Sequence, residues 1–206
     1  VMKLFKRSLL WLMLLCGVQA LAQEMVDRES FFEKAQVLFH QYVQDGWVDY
    51  QELTREPRLG ELVDFIAGYN YAGDEEEWQK AYLINVYNLL VIRAVVEAYP
   101  IQSTLKIYGF FDQQRHQVGP MNLTLDELEK EQLLGRWQDA RLHFALACAA
   151  VSCPPLASFA YLPDQLDDQL DSRTAAAMNN GSFIRVDDEK QRVLVSQIFQ
   201  WYKKDF

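Results

Sequence analysis

Residues 74–99 read DEEEWQKAYLINVYNLLVIRAVVEAY and predict the longest helix of the chain. Apolar side chains recur at helical spacing along the stretch, and Pro100 ends it. Asp74 and the three glutamates after it place negative charge at the N-terminal end, where the helix dipole favours it. The helix therefore has one broad apolar face for the core. The residues on this face are Trp78, Ala81, Tyr82, Asn85, Asn88, Leu89, Ile92, Val95 and Val96.

Two asparagines, Asn85 and Asn88, stand in the middle of that apolar face. A buried asparagine is costly unless its amide group is hydrogen-bonded. In a structural interpretation, both side chains bind the backbone of a neighbouring loop and hold it in place. In a functional interpretation, they line a site, where they orient a histidine or donate to a developing negative charge. The sequence favours neither interpretation, and the two are compatible.

The other segments predict an α+β fold, with a helix-rich N-terminal half packed on a small, mainly antiparallel sheet. A papain-like fold is one form of this arrangement. Thr124 and Glu127 form a capping box, which starts a helix. The predicted elements are helices over residues 27–45, after Pro57, over residues 125–134 and over residues 163–180, a hairpin of residues 183–186 with residues 192–195, and a short helix from Ile198.

The N-terminus has the pattern of an export signal. Three basic residues precede an apolar run over residues 8–18, and a small-x-small cleavage pattern follows at residues 20–22. We predict a signal peptide over residues 1–22, an N-terminal helix over residues 23–44 and one domain over residues 45–206. The expected location is the periplasm or the extracellular space.

The chain is acidic, and the predicted mature form more so. Removing residues 1–22 lowers Lys+Arg from 20 to 17 and leaves Asp+Glu at 29, so the formal charge moves from −9 to −12. This charge repels nucleic acids and anionic membrane surfaces. We expect no nucleic-acid partner and no stable membrane insertion after cleavage of the signal.

A second informative stretch, residues 141–156, reads RLHFALACAAVSCPPL. It contains His143, and residues 144–147 after this histidine predict a buried strand. Cys148 and Cys153 follow on the loop, an arrangement that can bring a base near a nucleophilic thiol. Two thiols five positions apart in an exported protein also predict a disulfide. Both interpretations stay open.

Four separated motifs occur in a characteristic order, and together they cover roughly residues 45–206. They are AYLINVYN at residues 81–88, TLDELE at 124–129, the stretch 141–156, and IFQWY with the closing DF at 198–206. This set resembles the family catalogued as domain of unknown function 547, with this chain as an exported bacterial member. The resemblance implies signature positions but no activity. Those positions are Asn85, Asn88, Glu129, His143, Cys148 and Cys153.

One departure from the family concerns Lys130, which stands where members often have a histidine. No mechanism can use that histidine in this chain.

Our first functional hypothesis is a thiol-dependent hydrolase or transferase. Cys153 would be the nucleophile and His143 the base that generates its thiolate. Glu129 or Asn85 would orient the imidazole, and Asn88 or loop amides would donate to an oxyanion.

Two other hypotheses use the same residues differently. In a periplasmic thiol–disulfide redox protein, Cys148 and Cys153 would cycle while His143 tunes a thiolate. In a non-catalytic binding module, the two cysteines would form a structural disulfide. A metal site at His143 and the two cysteines lacks a convincing fourth ligand, and we expect no cofactor. The substrate or partner stays open.

Overall fold

Helix α4 (Glu76–Ala98) is the central element of the fold in the computed structural model, which describes residues 28–149, 153–181 and 183–206. The helix predicted from the sequence is therefore present. Every residue from position 81 to position 92 is buried, so neighbouring segments cover α4 on all sides. The buried surface is wider than the single face that the spacing predicts. A helix that is apolar all round is typical of such a central position.

Helix α4 is also long enough and apolar enough to cross a membrane. However, 78% of its most apolar window is buried inside the protein. Burial of this extent is what the core helix of a folded domain requires.

Helix α1 (residues 28–42) and helix α3 (Pro57–Gly68) pack against α4 through aromatic rings. The ring of Phe31 on α1 lies 4.9 Å from that of Tyr82 on α4 and 5.2 Å from that of Phe65 on α3. Large apolar rings at such distances bury much surface and dominate core energetics. The elements between α1 and α3 are the hairpin strands β1 (Val43–Gln44) and β2 (Trp47–Val48) and the short helix α2 (Tyr50–Leu53).

The predicted capping box is present and begins the next long helical segment. Thr124 Oγ1 accepts a hydrogen bond from the Glu127 amide at 3.1 Å, and the Glu127 carboxylate accepts one from the Thr124 amide at 2.9 Å. Helix α5 (Leu125–Glu127) continues as π-helical turns over Leu128–Leu134 and ends as α6 (Gly135–Trp137). π-Helical turns are rare and often occur at functional sites.

The stretch after α6 differs from the prediction. The chain forms a 3₁₀-helix over Ala140–Phe144, and residues 145–147 that follow form no strand. The prediction of a strand over residues 144–147 is therefore wrong, although these residues are buried as expected. The physical reason is that Asn88 on α4 supplies the backbone with hydrogen-bond partners that a strand would find in a neighbouring strand.

The C-terminal part contains the predicted helix and hairpin. A 3₁₀ turn over Pro163–Gln165 leads into α7 (Leu166–Met178), and a hairpin of β5 (Ile184–Asp187) and β6 (Arg192–Val195) precedes the short helix α8 (Ile198–Trp201). A second, smaller core joins these elements to the 3₁₀-helix. Its residues are Phe144, Ala177, Phe183 and Ile198.

The fold belongs to the α+β class, as predicted. Strands β3 (His116–Val118) and β4 (Met121–Leu123) complete the set in the described part of the chain. The strands there pair as three separate two-stranded antiparallel sheets, β1–β2, β3–β4 and β5–β6. The helices around α4 supply most of the core, and the hairpins add Val43 of β1 and Val118 of β3 to it.

Candidate functional site

Asn85 and Asn88 use their side-chain amides to hold two loop segments against α4. Asn85 accepts a hydrogen bond from the Tyr161 amide at 3.0 Å and donates to the Tyr161 carbonyl at 2.7 Å. Asn88 donates to the Ala145 carbonyl at 3.0 Å and accepts from the Ala147 amide at 2.9 Å. Each side-chain amide therefore forms two hydrogen bonds with the backbone of the loop, as a neighbouring strand would. These contacts satisfy the structural interpretation of both residues, because buried amides need such partners.

Cys148 and Cys153 are joined in a disulfide, with their Cα atoms 6.1 Å apart. In this oxidation state neither residue has a free thiol, so neither is a nucleophile. Disulfides form mainly in oxidising compartments. The export signal at the N-terminus stays a prediction. That signal, over residues 1–22, lies outside the described residues.

His143 lies in the 3₁₀-helix and is 3% exposed. Its Nε2 is 2.8 Å from Asp205 Oδ2. Its ring lies 4.1 Å from that of Tyr202 and 5.3 Å from that of Phe206. Residues of the C-terminal segment thus surround the imidazole and provide its carboxylate partner.

Glu129 lies in the π-helical turns and accepts hydrogen bonds from two tyrosines. Tyr87 donates to it at 2.9 Å and Tyr202 at 2.7 Å. Burial, followed by the charge of Glu129, raises the pKa of both tyrosines well above the usual value, so both hydroxyl groups keep their protons and act as donors. Tyr202 also contacts His143, and it therefore connects Glu129 to the imidazole.

An ion-pair cluster fixes the 3₁₀-helix that carries His143. Arg141 forms ion pairs with Asp139 at 2.8 Å, Asp167 at 2.8 Å and Asp171 at 2.6 Å. Lys80 on α4 also reaches Asp139, at 2.6 Å. Burial alone would raise the pKa of Asp139, but hydrogen bonds from Arg141 and Lys80 outweigh it and lower the pKa. The cluster connects the 3₁₀-helix to α4 and α7.

The structure thus separates the predicted site residues into two groups. Glu129 and His143 belong to one polar network, in which His143 is buried, Glu129 is half-buried and Asp205 is exposed. The cysteines belong to the loop that Asn88 holds. Within the described residues, no hydrogen bond or ion pair joins His143 to Cys148 or Cys153. The roles proposed for these residues in catalysis therefore stay predictions.

Sequence reasoning missed three members of the polar network. Tyr87 lies between the two asparagines on α4, and Tyr202 and Asp205 lie in the closing IFQWY…DF motif. That motif was the available signal, since it belongs to the set that resembles the family.

A pocket of about 580 Å³ opens beside the disulfide. Cys153 and Pro154 form part of one wall, and Asn88, Ile92 and Val95 of α4 form another. The lining comes from four parts of the chain, within residues 45–50, 88–104, 147–156 and 180–183.

Most of this lining is apolar or aromatic. Asp45 is the one charged residue among the lining residues that the structure describes. Burial raises the pKa of the lining residue Tyr50 to about 12, so its hydroxyl group stays neutral near pH 7. The pocket is therefore suited to apolar molecules more than to anions.

In the described part of the chain, no group of three or more His, Cys, Asp and Glu residues is placed to hold a metal ion. His143 in particular is separated from the cysteines and paired with Asp205.

A sequence profile described as "Protein of unknown function, DUF547" matches residues 73–176. This range contains α4, the π-helical turns, the 3₁₀-helix with His143 and both cysteines. No curated protein and no solved structure matches the chain.

Proposed function

Since the chain belongs to the DUF547 family of proteins of unknown function, we propose its function from the site: it is an exported binding protein that takes a small, largely apolar ligand. The pocket beside Cys153 is the observation that carries this proposal. Its volume of about 580 Å³ lies within the range of small-molecule sites, which are lined mainly by apolar side chains.

The walls of the pocket are held in place by contacts that exist without a ligand. Asn88 binds the backbone on one side of Cys148, and the disulfide fixes the other side of the loop. Arg173 donates a hydrogen bond to the Pro155 carbonyl. A pocket that is formed in advance loses less conformational entropy on binding.

The disulfide and the N-terminal pattern support an exported protein, in the periplasm or outside the cell. In this proposal the disulfide is structural, and Asn85 and Asn88 are hydrogen-bonding residues of the core. This corresponds to the binding-module hypothesis.

A thiol-dependent hydrolase or transferase has weaker support. It requires reduction of the disulfide and a base near Cys153, whereas the imidazole of His143 is paired with Asp205. Substitution Cys153→Ser tests it: the variant should lose any hydrolase or transferase activity found under reducing conditions while staying folded. Activity that persists in this variant would remove Cys153 as the nucleophile.

Thiol–disulfide exchange is a second candidate, because Cys153 is half-buried and lies in the pocket wall, where a bound thiol could reach it. Its test is the reduction potential of the pair. A potential far below that of the exporting compartment would make cycling untenable.

The binding proposal is tested with N-phenyl-1-naphthylamine, a neutral apolar dye whose fluorescence rises on burial. We expect saturable binding of one dye per chain. Trp47 lines the pocket and is 70% exposed, whereas Trp201 is similarly exposed, at 63%, and lies outside the lining. Trp47→Ala should weaken dye binding about tenfold, since an aromatic contact surface is lost.

Trp201→Ala is the matched control and should bind the dye as the unchanged protein does. The proposal fails if the dye does not saturate, or if the two tryptophan variants lose the same affinity.

A further inference from the structure

The carboxylate of Asp45 is exposed at the pocket and has no partner of its own. Among the described residues it forms no hydrogen bond and no ion pair. The deeper carboxylates of Glu56 and Asp139 are paired, with Arg58 at 2.7 Å and with Lys80 at 2.6 Å. Asp45 is therefore available to a cation that enters the pocket.

The turn that carries Asp45 is fixed against the pocket wall. Asp45 and Gly46 connect β1 to β2 and both have left-handed backbone conformations, with φ of 52° and 82°. Asp tolerates this conformation better than most residues, and Gly adopts it freely. A Cβ atom on Gly46 would overlap Pro155, so the turn backbone lies directly on the loop of the disulfide. The backbone that carries the carboxylate is thus held at the pocket.

Two aromatic residues line the same pocket and remain accessible. Trp47 is 70% exposed and Tyr99 is 40% exposed. The faces of such rings attract organic cations, and the attraction grows where water is excluded. No lysine or arginine is present among the described lining residues to repel a cation or to attract an anion.

The part of the pocket between α4 and the disulfide loop offers little to a polar group. Ile92 and Val95 are buried apolar residues, and the amide of Asn88 is already bound to the backbone of Ala145 and Ala147. An apolar body is therefore favoured there, because it leaves no polar group without a partner.

We propose that the ligand is an organic cation with an apolar body, whose ammonium group is held by Asp45 and the aromatic faces of Trp47 and Tyr99. The inference rests on the proposed binding function and adds the chemical class of the ligand. The cation lies at the carboxylate, and the apolar body lies between α4 and the disulfide loop.

The test compares three probes with the same ten-carbon chain: decyltrimethylammonium, decanol and decanoate. Each one displaces N-phenyl-1-naphthylamine from the protein at a concentration below micelle formation. We expect decyltrimethylammonium to bind about tenfold more tightly than decanol, and decanoate to bind least.

Asp45→Asn should remove the tenfold advantage of the cation over decanol. Asn tolerates the left-handed conformation at this position, so the turn is kept. Asp188→Asn is the control, because it removes the same charge from an exposed turn outside the pocket.

The outcomes separate the two proposals. If decanol binds and the cation binds no better, the ligand class is wrong and the binding function stands. Equal losses of cation binding in the Asp45 and Asp188 variants would reduce the effect to net charge, which also overturns the ligand class. If no probe displaces the dye and the dye itself does not saturate, the binding function falls and the ligand class falls with it.

Discussion

Tyr202 donates a hydrogen bond of 2.7 Å to Glu129, a residue 73 positions earlier in the chain. The same tyrosine packs against His143, and Asp205 pairs with that histidine from the same segment. The C-terminal residues therefore complete a polar network whose other members lie on α4, the π-helical turns and the 3₁₀-helix.

Tyr202→Phe should lower the free energy of unfolding by about 2 kcal/mol, since a half-buried carboxylate loses one of its two donors. The measurement is urea denaturation followed by circular dichroism. Tyr108→Phe is the control, because Tyr108 is 81% exposed, and its stability should match that of the unchanged protein. Equal stability of the two variants would show that the Tyr202–Glu129 bond contributes nothing.

Asn88→Ala should lower the free energy of unfolding by about 3 kcal/mol, because the Ala145 carbonyl and the Ala147 amide both lose their partner in a buried position. Urea denaturation again provides the measurement. Asn179→Ala is the control, because it removes only an exposed hydrogen bond from the side-chain amide to the Ala175 carbonyl at the end of α7. The loss of stability in this variant should be small. If both variants are destabilised equally, the loop does not depend on Asn88.

Replacing both cysteines by alanine should cost about 2 kcal/mol of stability, as the entropy of closing so short a loop predicts. Reducing the unchanged protein with dithiothreitol should cost the same amount. The reductant should leave the double variant unaffected, and an effect on that variant would mean that its target is not this disulfide.

The lowered pKa of Glu56 predicts that the protein loses stability in acid. Hydrogen bonds from Arg58, aided by one from Tyr42, lower its pKa from 4.5 to about 2 although burial opposes the shift. Because the folded-state pKa is below the ordinary value, the contribution of Glu56 is complete above pH 4.5 and is lost as the pH falls toward 2.

The unfolding midpoint in urea, measured from pH 6 to pH 2, checks this prediction. Glu56→Gln should be less stable than the unchanged protein at pH 6, and the difference should shrink toward pH 2. Glu33→Gln removes an exposed carboxylate and should give a parallel curve. A constant difference for Glu56→Gln across this range would contradict the assignment.

Local signals in the sequence were sufficient for the long helices. The spacing of apolar residues identified α4, and the capping box at Thr124 identified the start of α5, because both depend on residues within a few positions of each other. The strand predicted over residues 144–147 failed for the opposite reason. The backbone there is hydrogen-bonded by the side chain of Asn88, which lies 57 positions away from Ala145. The periodicity of apolar residues does not reveal such a distant contact.

The candidate site was predictable only in part. The family motifs identified Glu129 and His143, but Tyr202 reaches Glu129 through a contact that depends on the complete fold. The pocket was not predictable, since its lining combines four separate parts of the chain. In the sequence, Asp45 and Trp47 look like ordinary turn and strand residues. Only the fold brings the disulfide loop beside them.

The two asparagines of α4 also imply an order of folding. Their bonds to Ala145 and Tyr161 span 57 and 76 positions, so they form only after long loops have closed. Helix α4 needs contacts between near neighbours alone and can form early. Once formed, it presents Asn85 and Asn88 one turn apart, about 4.5 Å along its axis, close to the spacing of adjacent strands. The helix is then a template on which both loops are captured, and the pocket lined by Asn88 and Ala147 takes shape only with that capture.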